Sequence, residues 1–516
     1  MAEKTFRPYD PAAAVELPGD LRQYLPSDHQ VFLIEDLVES LDLTPITSVY
    51  EQGDGRGQPP YHPVLLSKLL LYAYCEGETS SRKIMRKTYE DIAYRVLCVD
   101  QHPDFRTISD FRERHLAAFR VLFRQTVWLA QALGQVRLEH VAQDGSKILA
   151  NASKHKAMSY ERMGQTEQRL TREIEAILAQ ARATDAAEDA RYGRDGSGEE
   201  LPAALQREVD FRQARRARIR AAQAALEARA AAEAAAQEPA DPDRREPPHR
   251  LPPEPPDAAP VPSSPGTLHV VSSAPAAQPT DPPFVLPAAT AQYCFTDPDS
   301  RIMPSSQGFV QAYNAQAAVD HYRQIIVACD VTDATVDTQQ LLPLFDQVRA
   351  NTGGLPAEAS ADSGYWSEEN VTTLQARGIA VYLPPPRPRP RAGQDAAAAV
   401  HTSPCKARMA ALLATPAAAR RYSLRKETAE PVFGQLKAAR GLRRFCTRGL
   451  DKVRGEWALW CLTHNLRKLA AVLGSQPAAS RTSLATSPVH AARTWLRRPG
   501  ATAGHPAPSR FGLSCS

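Results

Sequence analysis

The sequence predicts a mixed α/β core that follows an all-helical N-terminal domain, and three features of its patterning carry that prediction. Apolar residues keep helical spacing up to about residue 135, alternation with a period of two begins at Val136, and from residue 291 strand-like and helix-like stretches succeed one another. Taken in order, residues 1–135 place Val64 to Leu66, Leu69 to Leu71 and Tyr74 on a helix opened by Pro63. Ile84, Ile92, Val96 and Leu97 follow, then Phe111, Leu116, Phe119 and Leu122. Thr107-Ile-Ser-Asp110 has the spacing of a capping box ahead of a helix at Phe111. Arg82, Lys83, Arg86 and Lys87, with Arg112 and Arg114 further on, are dense enough to meet phosphates, although a solvated helix face accounts for them more simply.

From Val136 the alternation of Leu138, His140, Ala142 and Asp144 predicts a strand that ends at Asp144-Gly145. Residues 155–235 read as a charged helical hairpin, with Leu170, Ile174, Ile177 and Leu178 on one helix and Leu205, Val209, Ile219 and Leu226 on the other. Gly193, Gly196, Gly198 and Pro202 separate the two, and sixteen prolines within 236–290 predict a linker that buries no core. Tyr313, Ala315, Ala317 and Val319 then alternate, and Ile325 to Val331 is a continuous apolar run. Asp337 to Asn351 is helix-like before Gly353-Gly354, Ala357 to Asp362 is a short strand, Ser367 caps a helix stopped by Gly378, and Ile379 to Leu383 is another strand. Pro384 to Arg391 breaks the pattern, helix returns over 420–473, and 474–516 has the composition of a disordered basic tail. One catalytic domain of 136–473, interrupted by an insertion at 155–290, is expected.

Composition narrows the function. The chain has 62 basic and 58 acidic side chains for a net charge of +4, so a nucleic-acid surface must come from local clustering. Its eight cysteines never form Cys-x-x-Cys and no charged start leads into an apolar run, which argues against a disulfide framework, a zinc ribbon and a secretory signal and for a reducing cytoplasm. The most apolar stretch, Ala458 to Leu473, is broken by His464, Asn465, Arg467 and Lys468, short of the ~20 residues a bilayer span needs. Phosphate-loop, dinucleotide, zinc-protease and serine-elbow motifs are missing from the sequence. Carboxylates at element boundaries remain: Asp144 in Gln-Asp-Gly-Ser-Lys, Asp362 in Ala-Asp-Ser-Gly-Tyr, and Glu430 before Pro431, read as opening a helix that carries Phe433, Gly434 and Lys437. Singly, each has a structural explanation as a turn, cap or first-turn residue. Asp297 and Asp299 read as a turn, His464 as a satisfied core histidine, and Trp366 as a core anchor or a stacking surface for an unpaired base.

These segments together resemble the DDE transposases of bacterial insertion sequences, in the subgroup with a helical N-terminal transposase domain. The resemblance rests on Tyr61-His-Pro to Arg114, Gln143 to Ser153, Thr296 to Arg301, Gly308 to Asp320, Ala361 to Tyr365 and Tyr422 to Leu469. It implies a ribonuclease-H-like core in which Asp144, Asp362 and Glu430 bind Mg²⁺ or Mn²⁺, two ions in all, for in-line phosphoryl transfer. A Tyr, Arg, Glu and Lys signature is matched by Tyr422, Glu430 and Lys437, with Arg425 or Lys426 as the arginine position. Arg440, Arg443, Arg444 and Arg448 then make a helical basic stripe for DNA backbone, joined by Arg82, Lys83, Arg86 and Lys87 of the N-terminal domain. The implied protein binds the terminal inverted repeats of its element as double-stranded DNA, cleaves and transfers strands, and acts as a homodimer near the bacterial nucleoid, with no membrane or small-molecule partner. The alternatives are an inactive DNA-binding descendant of such an enzyme and a metal-dependent nuclease without strand transfer.

Overall fold

The computed structural model of the chain describes residues 19–51, 60–192, 202–236, 286–305, 308–386 and 403–475. The prolines between 237 and 285, the hairpin glycines 193, 196 and 198, and the tail beyond 475 lie outside them. The chain forms two compact units, 157–295 and the remainder.

Among the described residues a 3-10 turn (Leu21–Tyr24) is followed by seven α-helices: α1 (Gln30–Glu39), α2 (Thr44–Glu51), α3 (Pro63–Cys75), α4 (Ser81–Glu90), α5 (Ile92–Leu97), α6 (Phe105–Arg114) and α7 (Leu116–Ala132). Pro63 opens α3 as expected, with the His62 ring accepting the Val64 N–H at 3.2 Å. The helix expected at Phe111 starts six residues earlier. Asp104 accepts the Arg106 N–H at 2.8 Å and caps α6, so Thr107 to Asp110 lies inside the helix and not at its entrance.

β1 (His140–Leu149) follows, and β2 (Ala157–Ser159), α8 (Tyr160–Tyr192), α9 (Ala203–Ala236) and β3 (Gln292–Cys294) make the second unit. There Met163, Leu170, Ile219, Ala222 and Leu226 bury one another between the two long helices, and β2 pairs antiparallel with β3. The first unit resumes with β4 (Arg301–Ser305), β5 (Gly308–Asp320), β6 (Ile326–Thr332), α10 (Leu341–Thr352), β7 (Glu358–Ser360), α11 (Glu368–Ala376) and β8 (Ala380–Tyr382). It closes with α12 (Pro404–Ala414), α13 (Pro416–Gly434), a π-helical turn over Gln435–Ala439, and α14 (Leu450–Gly474).

The six-stranded sheet runs β4-β5-β1-β7-β8, with β6 also on β5. β1 is antiparallel to β5 and parallel to β7, and β7 is parallel to β8, so the sheet is mixed. β1 does not stop at Asp144-Gly145. Residues 145–149 find partners at 316–312 of β5, and this ladder overrides the turn preference of the Asp-Gly pair. β5 is buried along its length from Gln311, on both faces, so Asn314 at 0% and Gln316 at 1% exposure are interior polar groups and not the solvated half of an alternating strand. α14 is the hub of the core: Trp457, Trp460, Leu462 and Leu466 are buried together with Leu69 and Tyr74 of α3, Phe119 and Leu122 of α7, and Val327 of β6. The N-terminal helices therefore share one hydrophobic core with the sheet.

Candidate active site

Glu430 does not open a helix. It lies in the last turn and a half of α13, which begins well before it behind the Thr415 cap. Pro431 sits inside the helix; it has no N–H for the carbonyl of Glu427, and the Gln324 side chain takes that carbonyl instead at 2.8 Å. The helix then widens into the π turn, which carries Lys437 to the Ser146 hydroxyl and within 3.4 Å of the Lys147 carbonyl. Burial lowers the pKa of Lys437.

Asp144 lies mid-way along β1 on the face opposite Gly145, and its cross-strand neighbour is Ala317, a small residue that leaves room for α13. Arg425 fills that room. Its guanidinium stands 3.4 Å from Asp144 Oδ2 and 3.0 Å from Glu430 Oε1, above the Tyr422 ring at 6.0 Å. Burial opposes the guanidinium's charge, and the Asp144 carboxylate foremost among its neighbours outweighs burial and raises its pKa. Lys426 is exposed, so of the two signature candidates it is Arg425 that reaches the acids.

Asp362 lies two residues beyond the short parallel pairing of β7 and caps the turn Ser363–Tyr365, accepting the Gly364 N–H at 2.8 Å. The three carboxylates share one electrostatic field. Burial first, and the Asp362 and Glu430 charges after it, push Asp144 up from 3.8 to about 6, against the pull of Arg425 and of the Gly145 N–H. Among the described residues no three acidic, histidine or cysteine side chains stand close enough to enclose an ion, and Arg425 is paired to both Asp144 and Glu430. The donor set, oxygen only and with a largely buried carboxylate whose ionisation is disfavoured, nevertheless fits a hard divalent cation once that guanidinium moves aside.

The expected basic stripe is broken. Residues 440–449 are not helical, and Arg440 is buried, donating to the Tyr74 carbonyl at 2.8 Å and the Thr463 hydroxyl at 2.5 Å; that position faces the core and not DNA. Arg443, Arg444 and Arg448 are exposed on an irregular segment bridged to Leu149. Arg82, Lys83 and Arg86 are exposed on α4, whereas Lys87 turns over the Tyr94 ring and Arg112 is buried on Tyr74 and Thr79. His464 is a satisfied core residue bonded to the Gln324 carbonyl, Trp366 packs against the core, and Asp297 binds the Tyr313 hydroxyl and the Gly449 N–H. Sequence reasoning missed Gln316, Asn314, Asp337 and Tyr365, which line the sheet face behind Asp144; polar residues at alternate positions of the apolar strand β5 were the available signal.

Compared with known families, residues 19–114 match a transposase domain and residues 390–470 match a transposase DDE domain. The second match takes in Tyr422, Arg425, Glu430 and Lys437, and Asp144 and Asp362 lie outside both. No curated protein and no solved structure matches the chain.

Proposed function

We propose, from the premise that the chain is a DDE transposase of the insertion-sequence kind and so a DNA phosphoryl transferase, that its reaction centre is the site of Asp144, Asp362 and Glu430. What carries this reading is the convergence of Asp144 and Glu430 on one guanidinium, with Asp362 close enough to raise the Asp144 pKa. A transposase DDE domain implies dependence on a divalent metal, and these three carboxylates would hold it, as two Mg²⁺ or Mn²⁺ ions. Such ions, when bound, activate the attacking oxygen and stabilise the leaving oxygen of an in-line displacement.

The residues around the carboxylates position DNA. Arg425, once freed from Asp144 and Glu430, is a planar fork suited to a phosphate, and Lys437 supplies a point charge beside β1. Arg443 and Arg444 extend this basic rim, and Arg82, Lys83 and Arg86 on α4 suit the backbone of a terminal inverted repeat. Three antiparallel strands, β6, β5 and β1, followed by the parallel β7 and β8 with α10 and α11 between, support a ribonuclease-H-like core. Two copies of the chain would hold the two ends of an element.

The test is a labelled duplex spanning the repeat that flanks the coding region, beside a shuffled repeat. Retardation of the true repeat, nicking at its boundary in Mg²⁺ and joining of the new 3′ end to a target plasmid are the expected results. Binding without cutting in Mg²⁺ or Mn²⁺ would favour an inactive DNA-binding descendant, and cutting without joining would favour a nuclease.

A further inference from the structure

We propose that Tyr365 is a positioning residue that sets the separation of Asp144 and Asp362, held in a buried polar seat built by Gln316, Asn314 and Asp337. The inference rests on the reading of Asp144 and Asp362 as metal ligands. The parallel ladder between β1 and β7 stops at Ala142 and Ser360, two residues short of either carboxylate, so strand pairing alone does not fix them relative to each other. The turn after Asp362 supplies the missing constraint. Tyr365, 1% exposed, reaches back beneath β1 and donates its hydroxyl to Gln316 Oε1. Gln316 Nε2 in turn donates to Asp337 Oδ1 at 2.8 Å and to Asn314 Oδ1 at 3.0 Å, and Asn314 Nδ2 donates to the same Asp337 oxygen at 2.6 Å.

The other end of the turn is clamped as well. Asn370 Nδ2 donates to the Tyr365 carbonyl at 2.8 Å and the Thr338 carbonyl at 2.7 Å, and the Thr338 hydroxyl donates to the Gly364 carbonyl at 3.0 Å. Gly145 reports the tightness of the seat: a Cβ there would lie 2.4 Å from Gln316 Nε2 and 2.9 Å from the Tyr365 hydroxyl. The residue next to Asp144 is thus a glycine because this network presses against the strand at that point. Such buried networks act as a unit, and outer partners of metal ligands typically change affinity ~10-fold to 100-fold when removed.

The experiment measures Mn²⁺ binding to the full-length, DNA-free protein by electron paramagnetic resonance, beside thermal melts, for Tyr365→Phe, Gly145→Ala, Tyr313→Phe and Asp144→Asn. Tyr313→Phe is the control, since it also deletes one buried phenol hydrogen bond, the 2.7 Å contact to Asp297, away from the carboxylates. Tyr365→Phe and Gly145→Ala are expected to weaken Mn²⁺ binding by about 10-fold or more, while Tyr313→Phe melts lower without changing it. If Tyr365→Phe fails to fold, Gly145→Ala decides alone. Mn²⁺ affinity in Tyr365→Phe or Gly145→Ala that matches Tyr313→Phe, with Asp144→Asn still abolishing binding, overturns the seat and leaves the metal site standing. Unchanged binding in Asp144→Asn overturns both.

Discussion

An ionised Asp144 costs the metal-free protein stability. Its pKa is about 6 in the folded chain against an ordinary 3.8, so the folded state holds the proton more tightly than the unfolded one. The stabilisation linked to that proton is complete below pH ~4 and is lost as pH rises through about 6, a loss of about 1–3 kcal/mol. Asp144→Asn is therefore expected to melt a few degrees above the wild type at pH 8 without metal, and with no such advantage at pH 4; differential scanning calorimetry reads both. If Asp144 ligates the metal as proposed, millimolar Mg²⁺ should raise the melting point of the wild type and leave the Asn variant unmoved. At this scale the sequence is partly legible. The three acids can be picked by residue type, but Asp144-Gly145 has the local signature of a turn, and only the β5 partner strand makes it mid-strand. Arg440 likewise has the look of a surface residue beside Arg443 and Arg444; its burial depends on α3 and α14, with α3 remote in sequence.

The elements are more legible than their ends. Periodicity locates α3, α7, β5, β6, α10 and α14, since a buried face writes itself into spacing, whereas caps compete locally and are decided by a single hydrogen bond, as at Asp104. α13 is the instructive case. Pro431 has the look of a helix start, where proline is favoured, yet the Ala, Arg and Lys-rich residues before it are helical and the proline falls inside. Pro431→Ala should let the helix continue regularly, raise thermal stability by up to about 3 kcal/mol, and draw Lys437 away from Ser146. A melt that rises while strand cleavage falls by about 10-fold is the expected pair of results; unchanged cleavage would show that the π turn has no part in placing Lys437. Glu456 on α14 fixes the irregular segment after that turn, accepting the Cys446 and Thr447 N–H groups and the Thr447 hydroxyl at 2.8 to 3.0 Å. Glu456→Ala strands those buried donors and should cost about 2–4 kcal/mol in urea unfolding.

For the whole molecule, the shared core of α3, α7, α14 and the sheet means that the N-terminal helices are part of the packing of the unit that holds Asp144, Asp362 and Glu430. Removing residues 1–132 uncovers the α14 positions that meet the N-terminal helices, Gly455 against Leu116, Thr463 against Cys75 and Asn465 against Thr126, and the shortened chain should lose its cooperative melt and aggregate. Substituting Arg82, Lys83 and Arg86 together leaves that core intact, so the melt should be unchanged while DNA binding weakens and its salt dependence flattens by about one unit of slope for each phosphate no longer neutralised. Fluorescence anisotropy over a salt series measures this, and unchanged binding would remove α4 from the DNA surface. No helix among the described residues is long and apolar enough to cross a membrane.

The central claim is that Asp144, Asp362 and Glu430 form one metal-dependent centre for cutting DNA, and cleavage of a labelled end duplex by Asp144→Asn, Asp362→Asn and Glu430→Gln tests it most directly. Each variant should bind the duplex as the wild type does and lose cutting in Mg²⁺ by about 1000-fold or more, with EDTA abolishing the wild-type reaction. Cutting that survives any one of the three substitutions would contradict the account and place the reaction centre elsewhere.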